Sequence, residues 1–123
     1  MSNTKLLGRW GEAQAAQYLV RAGYRIVAAS YQCRMGEIDL IAQKKNVLTF
    51  VEVKLRRNDS FAAAREHVTT AKQNRIRVTA EAFLAEYPDY ADLICRFDVV
   101  EIYAPEGMDT RHPIINLVEN AFC

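Results

Sequence analysis

Cysteine and histidine are scarce in this sequence. The three cysteines, Cys33, Cys95 and Cys123, are far apart and odd in number, and the two histidines, His67 and His112, are isolated as well. Zinc sites and disulfide frameworks need such residues at short, repeated spacings. The pattern argues against both kinds of site and favours reduced thiols in a cytoplasmic protein.

Long apolar runs and an excess of charge of one sign are also absent. No stretch approaches the roughly 18 apolar residues that could span a bilayer, and the N-terminal MSNTK lacks the apolar segment of a signal peptide. The sequence contains sixteen lysines and arginines and fifteen aspartates and glutamates. The net charge alone therefore predicts binding neither to nucleic acid nor to a membrane surface. We expect a cytoplasmic protein without a membrane partner, in which any nucleic-acid binding depends on a local patch.

Glycine and proline, five and three in number, force few breaks in the chain. There is no repeat, low-complexity tract or linker, so we expect a single domain over residues 1–123. Periodicity and turn residues predict the order α-β-β-β-α-β, an α/β fold with a mixed central sheet flanked by helices. The predicted elements are a helix capped at Asn3 or Thr4 and running to Ala22, strands over 24–31, 36–42 and 47–55, a helix over 68–87, a strand over 93–103 and a tail element of open type over 114–122.

Glu12 stands among small apolar residues in the predicted first helix. At 100° per residue it lies within about 60° of Gly8, Ala15, Ala16 and Leu19. Such a stripe allows a helix to approach a sheet closely. A carboxylate is costly there unless a partner compensates its charge, which makes Glu12 a candidate functional residue.

The second and third strands predict a hairpin whose polar side chains converge. A tight turn over residues 43–46 pairs residue 42 with residue 47, which gives opposed residues an index sum of 89. Any odd sum places Asp39 on the face of Glu52 and Lys54, where Glu37 can join them, whereas an even sum would bring charge into the core. Strand alternation predicts residues 37, 39 and 41 on one face and residues 38, 40 and 42 on the other.

Two interpretations of this polar face stay open. Alternation of this kind usually marks the solvated face of a half-buried hairpin, and E-x-K alone is weak evidence. However, three acidic side chains beside one lysine repel one another in cross-strand pairs, and a divalent cation would relieve that repulsion. Oxygen ligands suit Mg²⁺ or Mn²⁺, and Lys54 could then orient an attacking water or neutralise charge on a phosphate.

Basic residues flank the same region. Arg34, Arg56 and Arg57 lie beside the predicted hairpin, and Lys72 and Arg75 lie near the start of the second helix. A phosphodiester ligand needs a rim of this kind, so Arg34, Arg56, Lys72 and Arg75 are candidate nucleic-acid-binding residues. The alternative is ordinary solvated surface.

Several spaced motifs occur in order along nearly the whole chain. They include G-E at 11–12, G-E-I-D-L-I-A at 36–42, F-V-E-V-K at 50–54, R-I at 75–76 and R-F-D-V-V at 96–100. Together they resemble the YraN-like family of small bacterial proteins. That family is similar to the restriction-endonuclease-like superfamily with its PD-(D/E)xK signature, and similar in layout to archaeal Holliday junction resolvases. One departure is Ile38, which precedes Asp39 where the signature names proline.

The resemblance implies a role for four residues. Asp39 and Glu52 would be metal ligands, Lys54 the catalytic lysine, and Glu12 the carboxylate that the first helix adds to the site. The function expected on this basis is Mg²⁺- or Mn²⁺-dependent hydrolysis of structured or branched DNA. One alternative is a nucleic-acid-binding module without turnover that acts as a partner in a DNA repair or processing complex, and another is a purely structural partner protein. Symmetric cutting of two strands would require a homodimer.

Overall fold

Five strands and two helices make up the part of the chain that the computed structural model describes, residues 2–57 and 68–122. Short 3₁₀ turns at Pro88–Tyr90 and Gly107–Asp109 interrupt the connections on either side of the fourth strand. In chain order the elements are α1 (Ser2–Arg21), β1 (Arg25–Cys33), β2 (Gly36–Lys44), β3 (Val47–Arg56), α2 (Thr70–Glu86), β4 (Ile94–Tyr103) and β5 (Ile114–Val118).

The sheet is mixed and follows the chain, in the order β1-β2-β3-β4-β5. β3 and β4 are parallel, with α2 in the connection between them, and the other neighbours are antiparallel. The predicted α-β-β-β-α-β order is confirmed. The C-terminal segment 114–122, to which the sequence assigned no secondary structure, contains a strand, β5. The predicted helix start is wrong, because α1 already includes Asn3 and Thr4. The polar residues Asn58, Asp59 and Ser60 predict a further turn, and they lie outside the described residues.

Both faces of the sheet are covered. Under α1, Ala15 and Leu19 pack with Val51 and Val100, and under α2, Phe83 belongs to a second cluster. The interpretation that one face of the β2–β3 hairpin is solvated is therefore wrong, because helices cover both faces of the sheet. The α1 stripe is also rotated from the predicted one: the positions facing the sheet are 11, 15 and 19, and residue 8 is exposed.

The hairpin of β2 and β3 has the predicted parity in a shifted register. Lys44 pairs with Val47, and the ladder continues to Leu40 opposite Val51, which gives an index sum of 91 instead of 89. The turn is shorter than expected because Lys45 adopts a left-handed conformation, with φ of 55°. Two residues then suffice to reverse the chain, and residues 43 and 44 join the strand.

Regular alternation fails in β2 at Asp39. Ile38 and Ile41 both belong to the cluster under α2, although residues three apart in a regular strand point to opposite faces. Across the ladder, the pairs on either side are Ala29–Leu40 and Tyr31–Ile38, and the intervening Ser30 has φ of 53°. The prediction that residues 38 and 40 share a face is therefore wrong, and the irregularity falls at the candidate site.

Candidate active site

A cleft of about 280 Å³ opens where the ladder between β2 and β3 ends. Its walls come from α1, β2, β3 and the first turn of α2. All four predicted catalytic residues and one of the predicted nucleic-acid-binding residues line it: Glu12, Asp39, Glu52 and Lys54, and Lys72.

α1 brings Glu12 to the cleft by lying close to β3. Gly11 is buried, and a Cβ at that position would meet Val53 and Leu55 at 3.9 Å, so the helix backbone sits directly on the sheet. The next residue, Glu12, accepts a hydrogen bond at 3.0 Å from the Ser30 hydroxyl. The carboxylate of Glu12 is thus tolerated beside the apolar stripe because the Ser30 hydroxyl is its hydrogen-bond partner.

Asp39 lies at the centre of the carboxylates. One oxygen each from Glu12, Glu37 and Asp39 can be chosen so that all three lie within 4.8 Å of one another. The Val53 N–H donates to Asp39 Oδ2 at 2.8 Å. Burial, together with the negative charges of Glu52 and Glu12, raises the pKa of Asp39 to about 7, against the lowering effects of the Val53 N–H and of Lys72.

Glu52 has a different environment from the other carboxylates. Its side chain is 7 % exposed, and its Oε2 lies 2.5 Å from Lys72 Nζ and 3.7 Å from Lys54 Nζ. Burial lowers the pKa of Lys54, as does the charge of Lys72, while Glu52 acts in the opposite direction. The cleft therefore holds a negative half around Asp39 and a half around Glu52 in which one carboxylate lies beside two ammonium groups.

The donor set fits a small divalent cation. The cleft supplies clustered carboxylate oxygens, which Mg²⁺ and Mn²⁺ prefer, and burial together with the neighbouring carboxylates disfavours the ionised form of Asp39, a cost that a bound cation would relieve. Both predicted ligands, Asp39 and Glu52, reach the cleft. Glu37, expected only as a possible addition, contributes to the cluster.

The predicted basic rim divides into three environments. Lys72 is inside the cleft. Arg56 is largely buried, with Nε 3.4 Å from Glu101 Oε2, so it has a protein partner. Arg34 is exposed in the turn between β1 and β2, and Arg75 is exposed on α2 beside Gly36, at the same end of β2 as Glu37.

Two features of the site could not have been found by alternation or helical periodicity. Ser30 is one, because nothing in its sequence context signals a left-handed serine that bonds to Glu12. The ion pair between Glu52 and Lys72 is the other, because it joins residues of different elements. The first turn of α2 fixes Lys72, whose backbone N–H donates to the Thr69 side chain at 3.1 Å.

Within the described residues, no helix combines the length and apolarity needed to cross a membrane.

Comparison with known proteins gives one family match, over residues 11–102, to a family described as Uncharacterised protein family UPF0102. A UPF0102 protein of Acinetobacter baylyi is 42% identical over 116 residues, which cover 94% of this chain and 79% of the relative. A UPF0102 protein of Caldicellulosiruptor bescii is 39% identical over 122 residues, covering 98% of this chain and 99% of the relative. One from Acinetobacter baumannii strain AYE is 40% identical over 124 residues, covering 94% and 93%. The matched region contains every residue of the cleft named above.

Proposed function

Because this chain belongs to the UPF0102 family, the YraN-like family that its motifs resemble, we propose that it shares one chemistry with the nucleases to which that family is similar. The proposed activity is metal-dependent hydrolysis of phosphodiester bonds in structured or branched DNA. The observation that carries this proposal is the convergence of Glu12, Asp39, Glu52 and Lys54 from three elements on one cleft. The arrangement of a helix, a hairpin and a parallel crossover strand also supports a restriction-endonuclease-like core.

The residues divide the work by their chemistry. Asp39, Glu52 and Glu12 would hold Mg²⁺ or Mn²⁺, with Glu37 as an additional oxygen donor. The ion, when bound, would supply charge stabilisation at the phosphate. Lys54, whose pKa is lowered by burial, would orient or deprotonate the attacking water at its Nζ.

The test is a cleavage assay on four-way-branched, single-stranded and duplex DNA of matched sequence. We expect products with Mn²⁺ or Mg²⁺, none with EDTA, and the fastest cleavage on the branched substrate. Glu52→Gln should remove activity, while Glu119→Gln, an exposed acid outside the cleft, should leave it unchanged. Absence of cleavage with all three substrates and both metals would contradict the proposal.

Metal binding can be tested without DNA. Mn²⁺ at millimolar concentration should raise the melting temperature of the protein by mass action and should release heat in a calorimetric titration. An unchanged melting temperature together with no binding heat would remove the metal from the proposed mechanism.

A nucleic-acid-binding module without turnover is the second candidate. The pairing of Glu52 with two lysines favours it, because the negative charge of Glu52 is already compensated without a metal ion. Tight, metal-independent binding of branched DNA without cleavage would favour the module. A homodimer, which symmetric cutting requires, would appear as a doubled mass in sedimentation with or without DNA.

A further inference from the structure

Lys72 makes a contact that a residue on a DNA-binding rim would not need. Its Nζ lies 2.5 Å from Glu52 Oε2, inside the cleft. Its backbone is fixed, because the Lys72 N–H donates to the Thr69 side chain that caps α2. The side chain remains 37 % exposed, so the ammonium group can leave Glu52 without disturbing the helix.

Glu52 needs a positive partner because its side chain is only 7 % exposed. An ionised carboxylate that has lost most of its water is unstable without a counter-charge. Two lysines are within reach, and Lys72 is the closer one, since Lys54 Nζ lies at 3.7 Å. Lys72 therefore supplies at Glu52 the positive charge that a metal ion would otherwise supply.

A divalent cation and an ammonium group compete for the same oxygen. Both are positive, and at a separation of a few ångströms inside a partly buried cleft their repulsion is strong. For Glu52 to become a metal ligand, Lys72 must withdraw from it. The open side of the cleft is then the direction in which the lysine can move, and that is where a phosphate group would enter.

Resting on the proposed function, we propose that Lys72 is a positioning residue that holds Glu52 in place until a divalent cation displaces it. The displaced ammonium group then binds the phosphodiester of the substrate. Lys72 thereby links the arrival of metal to the capture of phosphate, and it lowers the affinity of the cleft for metal in the absence of DNA.

The experiment is calorimetric titration with Mn²⁺ alone on the full chain. Lys72→Met should bind Mn²⁺ roughly tenfold more tightly than the parent, because an ion pair of this strength no longer competes. Lys72→Arg keeps the positive charge and should bind Mn²⁺ with the affinity of the parent. Lys45→Met is the matched control, since it removes one positive charge at the opposite end of the hairpin and should change nothing.

The outcomes separate this inference from the proposed function. Tighter binding by Lys72→Met, with DNA affinity reduced, supports the inference; a merely structural role would weaken metal binding instead. If the parent binds Mn²⁺ and folded Lys72→Met binds it equally or less well, the inference is overturned and the proposed function stands. If the parent binds no Mn²⁺, both are overturned. Should Lys72→Met fail to fold by circular dichroism, Lys72→Gln is judged by the same criteria.

Discussion

At the scale of single residues, Asp39 makes the stability of the metal-free protein depend on pH. Its pKa in the folded state is about 7, above the ordinary value of 3.8. Between these values the folded protein binds more protons than the unfolded chain, so the free energy of unfolding falls as pH rises through this window. Below it, the carboxyl is protonated in both states and the loss is absent.

We therefore expect the melting temperature of the parent protein in EDTA to fall as the pH rises from 4 to 7. The melting temperature of Asp39→Asn should fall less over the same range, because this variant has no carboxyl to ionise at position 39. Melting curves for both proteins at half-unit intervals of pH measure the difference. Mn²⁺ should restore more stability at pH 8 than at pH 5.5, because binding must displace the proton from Asp39 at the lower pH. Parallel profiles for parent and variant would contradict this assignment.

Lys54 and the carboxylates should be separable by mutation. Lys54→Ala leaves the proposed oxygen ligands in place but removes the group proposed to act on water, so cleavage should fall by about 10²- to 10⁴-fold. Its affinity for Mn²⁺ should not weaken, because no ligand is lost. Single-turnover cleavage and Mn²⁺ calorimetry on the same preparation measure the two effects. Cleavage by Lys54→Ala at the rate of the parent would show that the mechanism is wrong.

At the scale of elements, the distance of α1 from the sheet sets the position of Glu12. A Cβ at position 11 would meet Val53 and Leu55 at ordinary contact distance, 3.9 Å. Gly11→Ala should fit and stabilise the helix by about 1 kcal/mol. Gly11→Leu should push α1 away from the sheet and lower the free energy of unfolding by about 1–3 kcal/mol. The shift of α1 should also move Glu12 out of hydrogen-bonding distance of Ser30. We expect Mn²⁺ affinity to survive the first change and to fall with the second; calorimetry and melting curves on both variants check this.

The elements also show what the sequence can and cannot reveal. The hairpin parity and the gathering of Asp39, Glu52 and Lys54 could be predicted because charge must stay out of the core whatever the turn length. The register itself could not, because it depended on Lys45 adopting a left-handed conformation. The break in alternation at Asp39 was likewise hidden, since it coincides with the left-handed Ser30 of the neighbouring strand β1, which the pattern of β2 does not show.

At the scale of the whole molecule, Asp98 joins distant parts of the chain. It is fully buried and accepts hydrogen bonds from Thr49 at 2.6 Å, from Arg96 at 3.0 Å and from the Asn120 N–H at 2.9 Å. Arg96 in turn donates to the Tyr24 hydroxyl. The network therefore spans the chain from Tyr24, just before β1, to Asn120, just after β5.

Removing this centre should cost far more stability than removing a surface partner of the same arginine. Asp98→Ala removes the close partner of a largely buried cation and the acceptor of the Thr49 and Asn120 donors, and should lower the free energy of unfolding by about 3–5 kcal/mol. Glu119→Ala is the matched control. That carboxylate is 57 % exposed and lies 3.7 Å from Arg96, so its loss should cost less than about 1 kcal/mol. Urea unfolding of the two variants compares them directly, and similar midpoints would contradict the buried network.

The parallel pairing of β3 with β4 has a consequence for the order of events during synthesis. Every pair in this ladder is separated by 47 residues, from Val47–Ile94 to Arg56–Tyr103, whereas the β2–β3 hairpin closes across two. At translation rates of about 5–20 residues per second, each residue of β3 waits about 2–9 s for its partner in β4. During that interval an apolar strand edge is open to other nascent chains. A fragment ending at residue 92 should therefore scatter light as it aggregates at micromolar concentration, while the full chain stays clear; a clear, monomeric fragment would show that the hairpins protect the edge by themselves.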